Sequence, residues 1–155
     1  MTAESTNTGN KLLLDDLTVG QKFHSGTYTI TADQIKTFAG EFDPQPAHLD
    51  EEEAKETFFG ELVASGWHTA AISMRLLVGS VPIEGGLVGA GGDISWLRPT
   101  RPGDILQLET EIIDIRPSRS RPDRGQVKVR SLTRNQQGKT LQIMSSLIVV
   151  PRRKP

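Results

Sequence analysis

The chain has 155 residues, with 18 Lys and Arg against 19 Asp and Glu and a formal net charge of −1. A balance this even gives no global electrostatic pull toward nucleic acid or an anionic membrane surface. The absence of cysteine excludes disulfides, thiolate metal sites and a cysteine nucleophile, and the length suits one domain able to bury a sizeable core.

Met1 to Asn10 is polar and lacks the apolar segment of a signal peptide. No stretch reaches the roughly 18 apolar residues of a membrane-spanning helix, so a cytoplasmic protein with no membrane and no nucleic-acid partner is the expectation. Residues 1–11 read as a disordered tail, 12–150 as a single domain and 151–155 as a frayed basic tail.

The first element is a strand near Gly26–Ile30. Thr31 reads as the N-cap of a helix whose stripe is Ile35, Phe38, Ala39 and Phe42, at i, i+3, i+4 and i+7. Asp43–Pro44 ends that helix, because a residue before proline avoids the helical region. The stretch from Asp43 to Asp50 holds two prolines and is predicted to be an irregular loop. Asp50 caps a short helix from Glu51 to about Thr57; its acidic first turn suits capping better than metal binding. Ala64 to Val78 is apolar nearly all round, the signature of a buried helix.

The second half alternates. Residues 86–98 form a glycine-rich strand, and Pro102-Gly103-Asp104 a turn. Leu106, Leu108, Thr110 and Ile112 then share one face, with a phase slip at Ile112–Ile113 that predicts a bulge. Val127, Val129, Ser131 and Thr133 share a face of the next strand. Leu141, Ile143, Ser145, Leu147 and Val149 share a face of the last. These read as antiparallel strands with one buried side. One sheet wrapped around one buried helix uses all the apolar faces, so the fold class is α+β.

Three segments carry a resemblance: Phe42-Asp43-Pro44-Gln45-Pro46-Ala47-His48-Leu49-Asp50, then Phe59 to Gly66, then Ile94-Ser95-Trp96-Leu97-Arg98-Pro99 leading into Pro102-Gly103-Asp104. Over about residues 12–150 the chain resembles the MaoC-like dehydratases, a family that includes the R-specific enoyl-CoA hydratases. The resemblance implies a hot-dog fold, a curled antiparallel β-sheet around a long central helix. It also implies an acyl-CoA hydratase or dehydratase that interconverts a 2-enoyl and a 3-hydroxyacyl thioester. Coenzyme A would arrive as part of the substrate, with no separate cofactor and no metal. The family's catalytic Asp and His fall on Asp43 and His48. Gln45 stands where the hydratases usually carry Asn, and Ser65 where better-known members carry His before the retained Gly66.

The chemistry suits those residue types. Water must lose a proton as it attacks Cβ, Cα must gain one, and the thioester oxygen must be stabilised. A histidine and a carboxylate can share one water; which of them is the base is left open by the sequence. The helix start at Ser65-Gly66 offers N–H groups to a developing oxyanion, with Ser65 and Gln45 as further substrate contacts. Arg98, Arg116, Arg119 and Arg121, with Arg124, are candidates for the coenzyme phosphates. His68 reads as a core histidine and His24 as a surface one. Because one fold hosts several chemistries, a hot-dog thioesterase and a non-catalytic acyl-thioester-binding module are the rivals. An open sheet edge further predicts a homodimer or a multiple of dimers, and in the resembled family the site lies at that interface.

Overall fold

The computed structural model describes residues 11–153; the predicted disordered segment falls almost wholly outside them. In chain order the elements are β1 (Lys22–Thr29), α1 (Ala32–Phe42), α2 (Pro46–Leu49), α3 (Glu51–Ala54), α4 (Gly66–Ser80), β2 (Val88–Trp96), β3 (Ile105–Pro117), β4 (Arg124–Arg134) and β5 (Thr140–Pro151), after a single 3-10 turn at Leu14–Asp16. All five strands join one antiparallel sheet in the order β1-β3-β4-β5-β2. Helix α4 lies in its concavity. Ile72, Leu76 and Leu77 pack with Leu106, Leu108 and Ile112 of β3, Val127 and Val129 of β4, and Met144 and Ile148 of β5. This is the expected α+β hot-dog arrangement.

Local chemistry explains the element ends. Thr31 closes a capping box: its hydroxyl accepts from the Gln34 amide at 3.2 Å, and the Gln34 side chain accepts from the Thr31 amide at 2.9 Å. Two donors left over at a helix start are satisfied at once. The ladder between β3 and β4 slips between Ile112 and Asp114, where the alternation lost phase.

Four expectations need correction. The double-proline stretch is not wholly irregular, since Pro46 opens the one-turn helix α2. Proline is well suited to a first helical position, where its missing N–H has no partner to lose. Helix α4 is not buried all round, because Trp67, Ala71, Met74 and Val78 form an exposed stripe. On β5 the buried face is the other one: Gln142, Met144, Ile148 and Val150 point inward, with Leu141 also covered. Finally, residues 151–153 do not fray. Pro151 ends β5, the Arg153 amide donates to Asp15 at 2.7 Å, and its guanidinium meets Asp16 at 2.9 Å.

Candidate active site

Two helix ends and a one-turn helix build the site. Asp43 is the C-cap of α1, His48 sits on α2, and Ser65 is the N-cap of α4. The tight turn from α1 into Pro46 brings the Asp43 and His48 side chains together, with His48 Nε2 3.5 Å from Asp43 Oδ2. His48 is buried and its Nδ1 lies 2.7 Å from the Val63 carbonyl. A carbonyl only accepts, so Nδ1 carries the hydrogen, and in the neutral ring the lone pair is at Nε2, facing Asp43. At 3.5 Å the two groups stand slightly too far apart for a direct hydrogen bond. One water oxygen fits within about 2.8 Å of both.

Asp43 is held from both sides. Ser65 Oγ donates to Oδ2 at 2.6 Å, and Gln45 Nε2 donates to Oδ1 at 2.5 Å. Ser65 is fully buried, and its oxygen also accepts from the Trp67 amide at 3.2 Å. Burial pushes the Asp43 carboxyl up, but the bonds from Ser65 and Gln45 and the neighbouring His48 together leave it below its ordinary value. Asp43 is therefore a carboxylate at neutral pH. A folded-state value below the unfolded one stabilises the protein above the unfolded value near 3.8, and that stabilisation is lost as pH falls through the folded value. In thermal melts across about pH 2–7, Asp43→Asn is expected to fall furthest below wild type above about pH 4, with the gap closing at lower pH.

Asp43, Gln45, His48, Gly66 and Arg98 all line one cleft of about 530 Å³, with Phe58, Phe59, Trp67, Trp96 and Thr100 among its other walls. The Gly66 N–H, at the first helical position of α4, forms no hydrogen bond among the described residues. It is free for a ligand oxygen. A Cβ at Gly66 would stand 2.7 Å from Trp96 Cε2, so the glycine is what lets the indole lie against the helix start. The sequence places Ser65 at the substrate; in the structure its hydroxyl is committed to Asp43 and the helix cap. That partnership spans 22 residues and has no signal in sequence beyond a serine preceding a helix.

The arginines separate. Arg98 stays in the cleft wall, its Nη1 bonded to the Thr140 carbonyl at 2.9 Å. Arg116 and Arg124 flank a different surface hollow on β3 and β4 and pair with Asp114 and Asp123. Arg119 and Arg121 are exposed on the same connection. None of these four lines the cleft of this chain. His68 is buried and stacked on Phe38 at 4.5 Å; His24 is exposed and meets Glu109 at 3.0 Å. Among the described residues no cluster of three metal-ligating side chains occurs, and no helix is long and apolar enough to cross a membrane.

The family model for the MaoC-like domain matches residues 16–135. The chain belongs to the MaoC-like family. A crystal structure of a MaoC-like dehydratase from Rhodospirillum rubrum is similar to this MaoC-like chain at 54% identity with a TM-score of 0.90, covering 93% of this chain and 99% of that one. The Bacillus subtilis protein YdeM, itself uncharacterized, is 39% identical over 114 residues, 69% of this chain and 77% of its own. A 3-hydroxybutyryl-CoA dehydratase from Methylorubrum extorquens is 33% identical over 79 residues, 51% of this chain and 50% of its own. The family is one of hydratases and dehydratases, and this MaoC-like domain has its hot-dog fold.

Proposed function

We propose that this chain is an acyl-CoA hydro-lyase that adds water to, or removes it from, the double bond of a 2-enoyl-CoA, with Asp43 and His48 as its catalytic pair. The observation that carries the reading is the pair itself: an acceptor nitrogen and an ionised carboxylate, 3.5 Å apart, in a cleft beside a free helix N-terminal amide.

The division of labour follows from the hydrogen bonds. Nδ1–H of His48 is anchored on the Val63 carbonyl, which leaves Nε2 to take the proton from water. Asp43, ionised and bonded on both oxygens, orients that water and stabilises the imidazolium. As the water oxygen bonds to Cβ, the π electrons move toward the thioester oxygen, which the Gly66 N–H receives. The enolate then takes at Cα the proton held on Nε2, and the product is the 3-hydroxyacyl thioester. Coenzyme A enters and leaves with the substrate, Arg98 at the cleft wall being its candidate phosphate contact.

The test is loss of the enoyl-thioester absorbance with crotonyl-CoA and with a longer trans-2-enoyl-CoA. Turnover in wild type that falls by about a hundredfold in Asp43→Asn supports the reading. Release of free thiol without hydration would mark a thioesterase, and ligand-induced stabilisation without either reaction a binding module.

We further propose that the acting form is a homodimer, paired through β2. That strand closes the sheet order with one edge unpaired, and the exposed α4 stripe borders it: Met74 shares a hollow with Gly91 and Ile94 of β2. Met74 is 45% and Val78 57% exposed, an apolar surface that a second copy would cover. Light scattering at micromolar concentration is expected to give the mass of a dimer or its multiple, and Met74→Arg to shift it toward the monomer. A wild-type monomer would contradict this.

A further inference from the structure

Two hollows lie along the seam between α4 and β2. One is the cleft of the Asp43–His48 pair. The other, of about 270 Å³, is lined mostly by apolar and small residues, among them Met74, Leu77, Ile94 and Met144, with Asp93 the one charged residue in its wall. Between them stand two tryptophans. Trp67 of α4 and Trp96 of β2 both belong to the catalytic cleft's wall; they meet edge to face, centroids 5.2 Å apart at 81°. Trp67 precedes Met74 by two helical turns, and Trp96 follows Ile94 on the same strand.

Trp96 is held firmly. Its indole N–H donates to Gln142 Oε1 at 2.9 Å, and its ring lies where any side chain at Gly66 would stand. Gln142 is fully buried, and its Nε2 donates to Ser73 Oγ at 3.1 Å. Ser73 Oγ has one hydrogen, which goes to the Thr69 carbonyl at 2.8 Å. Thr133 Oγ1, 2.6 Å away, must therefore donate to Ser73. Every polar atom of the chain Trp96–Gln142–Ser73–Thr133 has a partner and a direction, so it tolerates no alternative orientation of the indole without leaving a buried amide unpaired. A side chain that is 45% exposed is thereby tied to a fully buried amide.

We propose that Trp96, latched by Gln142 and backed by Trp67, is the end wall of the acyl subsite, and that it restricts this site to short-chain acyl thioesters by closing the way to the Met74–Ile94 hollow. The inference rests on the acyl-thioester reading above. With the thioester oxygen at the Gly66 amide, the acyl carbons beyond Cβ start beside the indole. A longer tail must either displace a ring secured by a buried hydrogen-bond chain or turn out into water. Removing the ring joins the two hollows and gives the tail an apolar lining. Gln142 touches no substrate in this scheme; it is a positioning residue that acts through Trp96.

The experiment compares wild type, Trp96→Ala, Trp96→Leu and Gln142→Met, all as the full chain, in two assays. The first is kcat/KM for crotonyl-CoA and for trans-2-octenoyl-CoA. Wild type is expected to favour crotonyl-CoA, and the octenoyl-to-crotonyl ratio to rise tenfold or more in Trp96→Ala. Trp96→Leu, which keeps an apolar side chain should the alanine variant fold poorly, should raise it less. Gln142→Met should move the ratio in the same direction, whereas a merely structural role would lower both substrates alike. The second assay needs no turnover: affinity for butyryl-CoA and octanoyl-CoA by calorimetry, where the Trp96 variants should gain specifically for the octanoyl ligand. An unchanged ratio and unchanged relative affinity in both Trp96 variants would overturn the wall. No hydration by wild type at any chain length would sink the hydro-lyase reading alone, because the affinities still decide the wall.

Discussion

His48→Ala is expected to lower kcat for crotonyl-CoA hydration by about a thousandfold, within the 10²–10⁴ range of a positioned general acid–base. The mechanism gives His48 Nε2 both the proton taken from water and the proton returned to Cα, so no other side chain in the cleft replaces it. Asp43→Asn should cost less, about a hundredfold, because the amide still occupies the space and water still reaches Nε2. Since both groups act on one water, their effects should not add. The double variant is expected to be no slower than His48→Ala within a few fold. Steady-state rates on all three proteins check this. Additive losses would mean that the two groups act at separate steps.

Gly66→Ala is expected to lower kcat by about a hundredfold, comparable to the loss of one oxyanion donor, with a smaller change in KM. The added methyl would meet the indole of Trp96 at 2.7 to 3.0 Å, closer than packed atoms tolerate, so either the ring or the start of α4 must shift. The Gly66 N–H would then point away from its present line. Ala is otherwise the best helix former, so helix propensity does not account for the loss; a thermal melt within a few degrees of wild type would separate a lost donor from a lost fold. Unaltered kcat would show that the oxyanion is received elsewhere.

Much of this architecture is legible in the residues. Leu106 to Ile112 and Val127 to Thr133 alternate with mostly polar or charged neighbours, so period two and the buried face both follow from the pattern. Strand β5 is different. Ile143 and Val149 on one face and Met144 and Ile148 on the other give both faces apolar character, and Gln142 reads as an outward residue. Its burial depends on the indole of Trp96, 46 positions away, and on Ser73, 69 positions away. No local pattern encodes a polar residue satisfied at such separations. The exposed stripe on α4 was hidden for a related reason, as Trp67, Met74 and Val78 are chemically indistinguishable from core residues when only composition is visible.

The Asp43–His48 pair shows the same division. Asp43 and His48 stand five positions apart, and a short proline-rich turn is enough to bring them together, so spacing alone carries the hint. The role of Ser65 depends on α4 starting beside the end of α1, a fact of tertiary packing. The arginine cluster at Arg116 to Arg124 is a coenzyme candidate by charge alone, and a solvated loop suits it at least as well. Two of its members, Arg116 and Arg124, instead pair locally with Asp114 and Asp123 on a surface away from the cleft, as most exposed charges do.

The sheet order has a consequence for how the protein is made. Strand β2 pairs only with β5, so while it emerges from the ribosome its partner does not yet exist. All of β3 and β4 must be synthesised first, an interval on the order of seconds at roughly 5–20 residues per second. A strand left waiting is a hazard when it is apolar and strongly β-forming. Val88 to Trp96 carries three glycines and an aspartate, which leaves it little tendency to seek a wrong partner during the delay. The glycine that admits β5, Gly92, whose Cβ would stand 2.2 Å from the Ser145 carbonyl oxygen, then allows the two strands to close as soon as β5 has emerged.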